Sequence, residues 1–219
     1  MVKEIPKWLK RYLDSEGAAR IQKAVEKAEK RTSGEIVPMV VSRSTVNSCV
    51  PFMYMIIFSL LVLALNHAFS VFSVAKSDEF VWSALFIAMA ASGWGVGHLS
   101  YFQRILVPKV DQVAEVRRRA MLAFHELDMK STRGGTGILL FISLFERQAV
   151  VLADKGISQH YDKDIFCDVA GDLIEGAKRR DLAQGFENAI DRCAGLLEPH
   201  FPCALDDQNE LKDHLRIHF

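Results

Sequence analysis

The chain has 219 residues, and its 27 Lys and Arg residues balance its 27 Asp and Glu residues, so the formal net charge is zero. This balance excludes the overall basic field on which nucleic-acid binding depends, and no nucleic-acid partner is expected. None of the four cysteines belongs to a Cys-x-x-Cys pair, so we expect reduced thiols rather than a zinc or disulfide framework.

The first predicted elements are a helix and a strand. Asp14 or Ser15 offers an N-cap. Apolar residues then follow at helical spacing and predict one buried face of a helix: Ala18, Ile21, Val25 and Ala28. The helix is predicted to end at Gly34. The nearly continuous apolar run 36–41 predicts a strand that is covered on both faces.

Two long runs in the middle of the chain, 50–69 and 80–99, contain no Lys, Arg, Asp or Glu. As a helix each run would rise roughly 30 Å, which is the thickness of the hydrocarbon core of a bilayer. With the short loop between them they predict a transmembrane hairpin over 49–100, and hence the lipid bilayer as a partner. The alternative is a pair of buried helices in a large soluble protein.

The charges beside this hairpin predict its orientation. Basic residues are frequent before residue 49 and after residue 103, whereas Lys76 is the lysine of the loop 70–79. By the positive-inside bias, both flanking segments belong on the cytoplasmic side. The sequence therefore predicts a multi-pass protein of the cell inner membrane with a cytoplasmic soluble domain.

Two glycines of the second run, Gly93 and Gly97, are four residues apart. Small residues at this spacing let helix backbones approach closely. We expect this face to pack within the hairpin, and a homodimer through the Gly93 and Gly97 face is the alternative.

The segment 101–203 is predicted to complete one domain with 1–48. Pro108 begins a helix, with an apolar stripe that includes Val110, Val113, Val116, Ala120 and Phe124. The glycine-rich segment 132–137 lies after a helix and before a strand, so we expect a tight turn rather than a phosphate-binding loop.

The runs 138–145 and 149–153 predict two strands, and the short connection between them predicts an antiparallel hairpin. One helix or a pair of helices follows over 166–197, with a break near Arg180, Asp181 and Gly185. The polar tail 204–219 is expected to be loosely held.

In this order of elements the chain resembles the TPM domain family. Two stretches carry the resemblance most clearly: Thr32–Val37, TSGEIV, and Gly135–Ile157, GTGILLFISLFERQAVVLADKGI. The matching segments are 20–41, 135–157 and 181–201. The resemblance implies a small α/β/α sandwich with a mixed sheet, and bacterial relatives with a transmembrane hairpin between the first strand and the second helix are the most similar.

The resemblance also implies two functions. In the first, the chain is a membrane-anchored accessory or scaffold protein of a membrane complex, with a membrane protein as its partner. In the alternative, it is a divalent-metal-dependent, phosphatase-like hydrolase at the cytoplasmic membrane surface. No catalytic residue is assigned, because nothing in the sequence places a nucleophile beside a phosphate clamp.

Aspartates that follow the predicted strands are the candidate metal ligands: Asp154, Asp162, Asp164 and Asp168. Hard oxygen ligands of this kind suit Ca²⁺ or Mg²⁺, although their spacing does not match an EF-hand. The alternative is that they are solvated loop carboxylates and helix caps.

Overall fold

The computed structural model describes residues 5–44, 50–72, 79–97, 108–129, 132, 134–161, 163–203 and 214–218. The chain divides into two compact units: the α/β unit, 1–45 with 112–219, and the hairpin unit, 46–111. Its elements in chain order are α1 (Ser15–Glu29), β1 (Glu35–Val41), α2 (Val50–Phe72), α3 (Glu79–Gly97), α4 (Lys109–Glu126), β2 (Gly137–Ser143), β3 (Gln148–Ala153), α5 (Lys155–Ser158), a 3₁₀ helix (Lys163–Phe166), α6 (Cys167–Arg179), α7 (Leu182–Leu197) and β4 (Arg216–His218).

The α/β unit is built on one mixed sheet of four strands in the order β3-β2-β1-β4. Strand β1 pairs in parallel with β2, from Glu35 opposite Gly137 to Val41 opposite Ser143, and in parallel with β4. Strands β2 and β3 pair antiparallel. The predicted mixed sheet and the predicted β2–β3 hairpin are therefore confirmed.

Helices cover both faces of this sheet. Side chains such as Ile36, Val40 and Leu140 pack in one core cluster with α1, α6 and α7. The alternate side chains, such as Met39 and Phe141, pack in a second cluster with α4. Every residue of β1 and β2 is buried, which confirms the prediction that β1 is covered on both faces.

The local signals at α1 and α4 explain where these helices lie. The Asp14 carboxylate caps α1 by accepting a hydrogen bond of 2.6 Å from the Gly17 N–H, and the predicted apolar face of α1 is buried. The middle of the predicted stripe of α4 is buried as well. At the start of α4, however, Val110 and Val113 are exposed.

The end of the chain contributes to the sheet. The three residues of β4 pair with Met39–Val41, and Leu215 before them is buried in the core. The structure thus places 215–218 in the α/β unit, where the sequence predicts a loosely held tail. A strand of three residues from a polar segment is too short to show a periodic pattern.

The hairpin unit consists of α2 and α3. The Phe52 ring, near the start of α2, lies 5.0 Å from the Trp94 ring, near the end of α3, so the two helices run antiparallel. In the part of the chain that the structure describes, no helix combines the length and the apolar character needed to cross a membrane. The predicted transmembrane hairpin is therefore wrong, and with it the predicted multi-pass location in the inner membrane.

Polar and small residues, such as Ser59 in α2 and Ser83 and Ser92 in α3, interrupt the apolar runs from which the two spans are predicted.

Gly93 lies where α3 contacts α2, as the sequence predicts for packing within the hairpin. A Cβ atom at Gly93 would be 2.8 Å from the Tyr54 carbonyl oxygen, whereas one at Gly95 would have nothing within 4 Å.

We expect Gly93→Ala to weaken this helix pair by about 1–3 kcal/mol, and Gly95→Ala to leave it unchanged or slightly more stable. Amide hydrogen exchange across α2 and α3 measures the difference, and equal exchange rates in the two variants would contradict it. The homodimer through the Gly93 and Gly97 face stays a prediction.

Candidate functional site

Strand β3 forms one edge of the sheet. All six of its residues are only half-buried, in contrast to the fully buried residues of β1 and β2. Among the described residues, no strand pairs with β3 on the side away from β2. Its sequence, Gln148-Ala-Val-Val-Leu-Ala153, contains no charge and no proline. The sheet therefore ends in an open strand with an apolar sequence.

The hydrogen bonds at the end of β3 show which backbone groups face outward. The Asp154 N–H donates to the carbonyl oxygen of Gly137, directly opposite, at 2.9 Å. Opposite residues of an antiparallel pair alternate between bonded and non-bonded. Val150 and Leu152 therefore bond to β2, and the N–H and C=O groups of Ala149 and Val151 point away from the sheet.

An open groove of about 600 Å³ runs along this edge, and we call it the β3 groove. Its lining comes from β3, from α4, and from the segment that runs from the end of α5 to the first turn of α6: Arg117, Ala149, Val150, Val151, Leu152, Ala153, Ser158, Tyr161, Asp164, Phe166, Cys167 and Ala170. The floor is apolar, and the charged residues of the lining are Arg117 and Asp164.

The aromatic wall of the β3 groove is held in place by core contacts. The Tyr161 and Phe166 rings meet edge to face at 6.3 Å, and the Tyr161 hydroxyl donates to the carbonyl oxygen of Leu196. Burial raises the pKa of Tyr161 above its usual value of about 10. Because this phenol stays protonated at neutral pH, it acts as a fixed hydrogen-bond donor rather than as a base.

The predicted metal ligands do not gather in the described structure. The Asp154 carboxylate is buried, caps α5 and accepts a hydrogen bond of 2.7 Å from the Lys155 N–H. Asp164 and Asp168 are exposed, on the 3₁₀ helix and on the first turn of α6. Asp162 lies outside the described residues.

Within the described ranges there is no group of three or more His, Cys, Asp or Glu side chains that could hold a metal ion. The prediction that the chain binds metal is therefore not supported. For Asp154 the structure supports the alternative interpretation of the sequence, in which the carboxylate caps a helix.

A second buried carboxylate lies at the opposite end of the sheet, after β2. Glu146 is 2 % exposed. It accepts a hydrogen bond from the Ser143 hydroxyl, and the Ser44 N–H lies 3.2 Å from both of its carboxylate oxygens. Glu146 therefore ties the loop after β1 to the β2–β3 turn. The sequence places Glu146 in a polar break between two predicted strands.

The thiols differ in their surroundings. Burial in the core raises the pKa of Cys193 to about 12, so this side chain stays protonated at neutral pH. Cys193 thus acts as an apolar packing residue. Cys167, by contrast, is exposed and lines the β3 groove.

Comparisons with known proteins identify the fold alone. No family model matches the chain, and no curated protein matches it. The chain is similar to the NMR structure of the BA42 protein from the psychrophilic bacterium Bizionia argentinensis, with a TM-score of 0.57 and 20 % sequence identity. The match covers 94 % of this chain and 96 % of that chain.

Proposed function

We propose that this chain is an accessory protein that holds a partner polypeptide by adding one strand of the partner to β3. The observation that carries the proposal is the unpaired outer edge of β3, which lies in an open apolar groove. In strand addition, the backbone hydrogen bonds supply affinity, and pockets for alternate side chains supply specificity.

The sequence of β3 supports a binding role for this edge. Proteins usually protect an edge strand with charged side chains, proline or a bulge, because an open edge invites pairing with other chains. Strand β3 has no charged residue and no proline, and its pairing with β2 runs without a break from Gln148 to Ala153. An edge left open in this way is suited to a specific partner strand.

The resemblance to the TPM domain family supports the same proposal, since that family implies an accessory role within a larger protein complex. The matching segments 20–41 and 135–157 contain β1, β2 and β3. We therefore propose that the α/β unit is a TPM-like domain whose partner binds at the β3 groove.

Selection of peptides against the full chain tests this function. We expect a library of random ten-residue peptides to yield binders in which apolar residues alternate with polar ones. Ala149→Pro should weaken these binders at least tenfold, because proline removes an outward N–H group. Proline is tolerated near the start of an edge strand, so the fold should persist.

The control for this experiment is Gly171→Ala. Gly171 lies on α6, where a Cβ atom would have nothing within 4 Å. We expect this variant to bind the selected peptides as the wild type does, with both variants showing cooperative thermal unfolding. If the selected peptides bind Ala149→Pro as tightly as the wild type, the proposed function is wrong.

A further inference from the structure

The open edge of β3 also specifies the kind of strand that fits it. We propose that the β3 groove selects an antiparallel segment with the pattern apolar–acidic–apolar, at positions p, p+1 and p+2. This inference rests on the function proposed above and names the chemistry of the partner. Three features of the groove carry it: the outward backbone groups, the aromatic wall and the charge of Arg117.

The outward backbone groups determine direction and register. An antiparallel strand with p opposite Val151 and p+2 opposite Ala149 exchanges both N–H···O bonds at each of these pairs. Parallel pairing is less stable per residue. At Ala153 the outward carbonyl oxygen already accepts a hydrogen bond of 3.0 Å from the Ser158 hydroxyl. The partner strand therefore centres on Val150.

The side chains at p and p+2 meet the aromatic wall. Residues directly opposite each other in a sheet point to the same face. Ala149 and Val151 pack against the cluster that contains Phe166, with Tyr161 beside it. The p and p+2 side chains therefore lie over apolar surface. Asp164, on the same 3₁₀ helix as Phe166, disfavours a carboxylate at these positions.

The side chain at p+1 faces the opposite layer. Val150 packs with the cluster that α4 covers, and Arg117 of α4 reaches the β3 groove. Two neighbouring arginines are engaged within α4: Arg118 with Glu115 at 2.6 Å and Arg119 with Glu126 at 3.7 Å. For Arg117 no ion pair is recorded within the described residues. An acidic side chain at p+1 would supply one.

Peptides that differ only at p+1 test this pattern. We would titrate the full chain with three eight-residue peptides that carry valine at p and p+2 and Glu, Gln or Lys at p+1. The readout is the shift of the Ala149 and Val151 amide signals in NMR spectra. We expect affinity to fall in the order Glu, Gln, Lys, by roughly three- to tenfold in all.

Charge reversal at α4 makes the test specific. Arg117→Glu should invert the order, so that the Lys peptide binds most tightly. Arg118→Glu adds the same charge one residue away at a side chain that does not line the β3 groove, and should keep the wild-type order. Both residues are exposed, so both variants should fold.

The outcomes separate this inference from the proposed function. Binding at Ala149 and Val151 with equal affinity for the three peptides would overturn the acidic preference and leave strand addition standing. An order that Arg117→Glu does not invert would overturn the role of Arg117. A failure of all three peptides to shift these amides would overturn the inference and count against the proposed function as well.

Discussion

Gly176→Ala is expected to destabilise the α/β unit by about 2–4 kcal/mol. Helices α6 and α7 cross with their backbones in contact at Gly176 and Gly185. A Cβ atom at Gly176 would be 2.6 Å from the Gly185 Cα and 2.9 Å from the Asp181 carbonyl oxygen. Because these are backbone atoms, the clash cannot be relieved by rotating a side chain, and the two helices must move apart. Urea denaturation of the full chain measures the loss as a lower midpoint.

Gly171→Ala on the same helix is the matched control. There a Cβ atom would have nothing within 4 Å, so the substitution should stabilise α6 by about 0.5–1 kcal/mol through its higher helix propensity. The two alanine substitutions should therefore shift the midpoint in opposite directions. Equal midpoints would show that α6 and α7 are not in close contact.

Glu146→Ala is expected to cost about 2–4 kcal/mol, because it leaves two buried donors without an acceptor. The donors are the Ser143 hydroxyl and the Ser44 N–H, which both contact the buried carboxylate. Hydrogen bonds to a charged acceptor are stronger than neutral ones. Thermal unfolding of the full chain provides the measurement. We expect the Ser44 amide to lose its protection from hydrogen exchange at the same time.

The neighbouring Arg147 provides a contrast to Glu146. Arg147 is exposed and has a left-handed backbone, with φ of 55°. Glycine adopts this conformation at little cost, so Arg147→Gly should be neutral or stabilise by less than about 1 kcal/mol. If Glu146→Ala proved as mild as Arg147→Gly, the carboxylate would not hold the two loops together.

Much of the α/β unit follows from local signals in the sequence. The cap at Asp14, the apolar face of α1 and the β2–β3 hairpin are all predicted correctly. The break between α6 and α7 is also predicted correctly at Arg180, which adopts a left-handed conformation, and at Asp181, which caps α7. Gly185, where the sequence also suggests a break, lies within α7. These features depend on residues close together in the chain, and their physical causes can be recognised without the tertiary structure.

The candidate site could not be predicted in the same way. The apolar run 149–153 has the composition of a buried strand, and only the order of strands shows that β3 is the edge. That order depends on parallel pairing of β1 with β2 across more than ninety intervening residues. Arg117 is one of three consecutive arginines, and the sequence does not show that its neighbours are paired.

The errors have physical causes as well. The metal-site prediction groups the aspartates because they follow strands, but the Asp154 carboxylate caps α5 and bonds to the Lys155 N–H. The two uncharged runs predict membrane spans from their composition, whereas no helix in the described part of the chain is long and apolar enough to cross a membrane.

The most direct test of strand addition is the hydrogen-exchange rate of the Val151 amide, measured by NMR with and without the Glu peptide. In the free chain we expect this outward amide to exchange much faster than the amides of Val150 and Leu152, which bond to β2. At saturating peptide its exchange should slow at least tenfold, together with that of Ala149. Unchanged exchange at Val151 in the presence of bound peptide would contradict the account, because the peptide would then lie elsewhere on the chain.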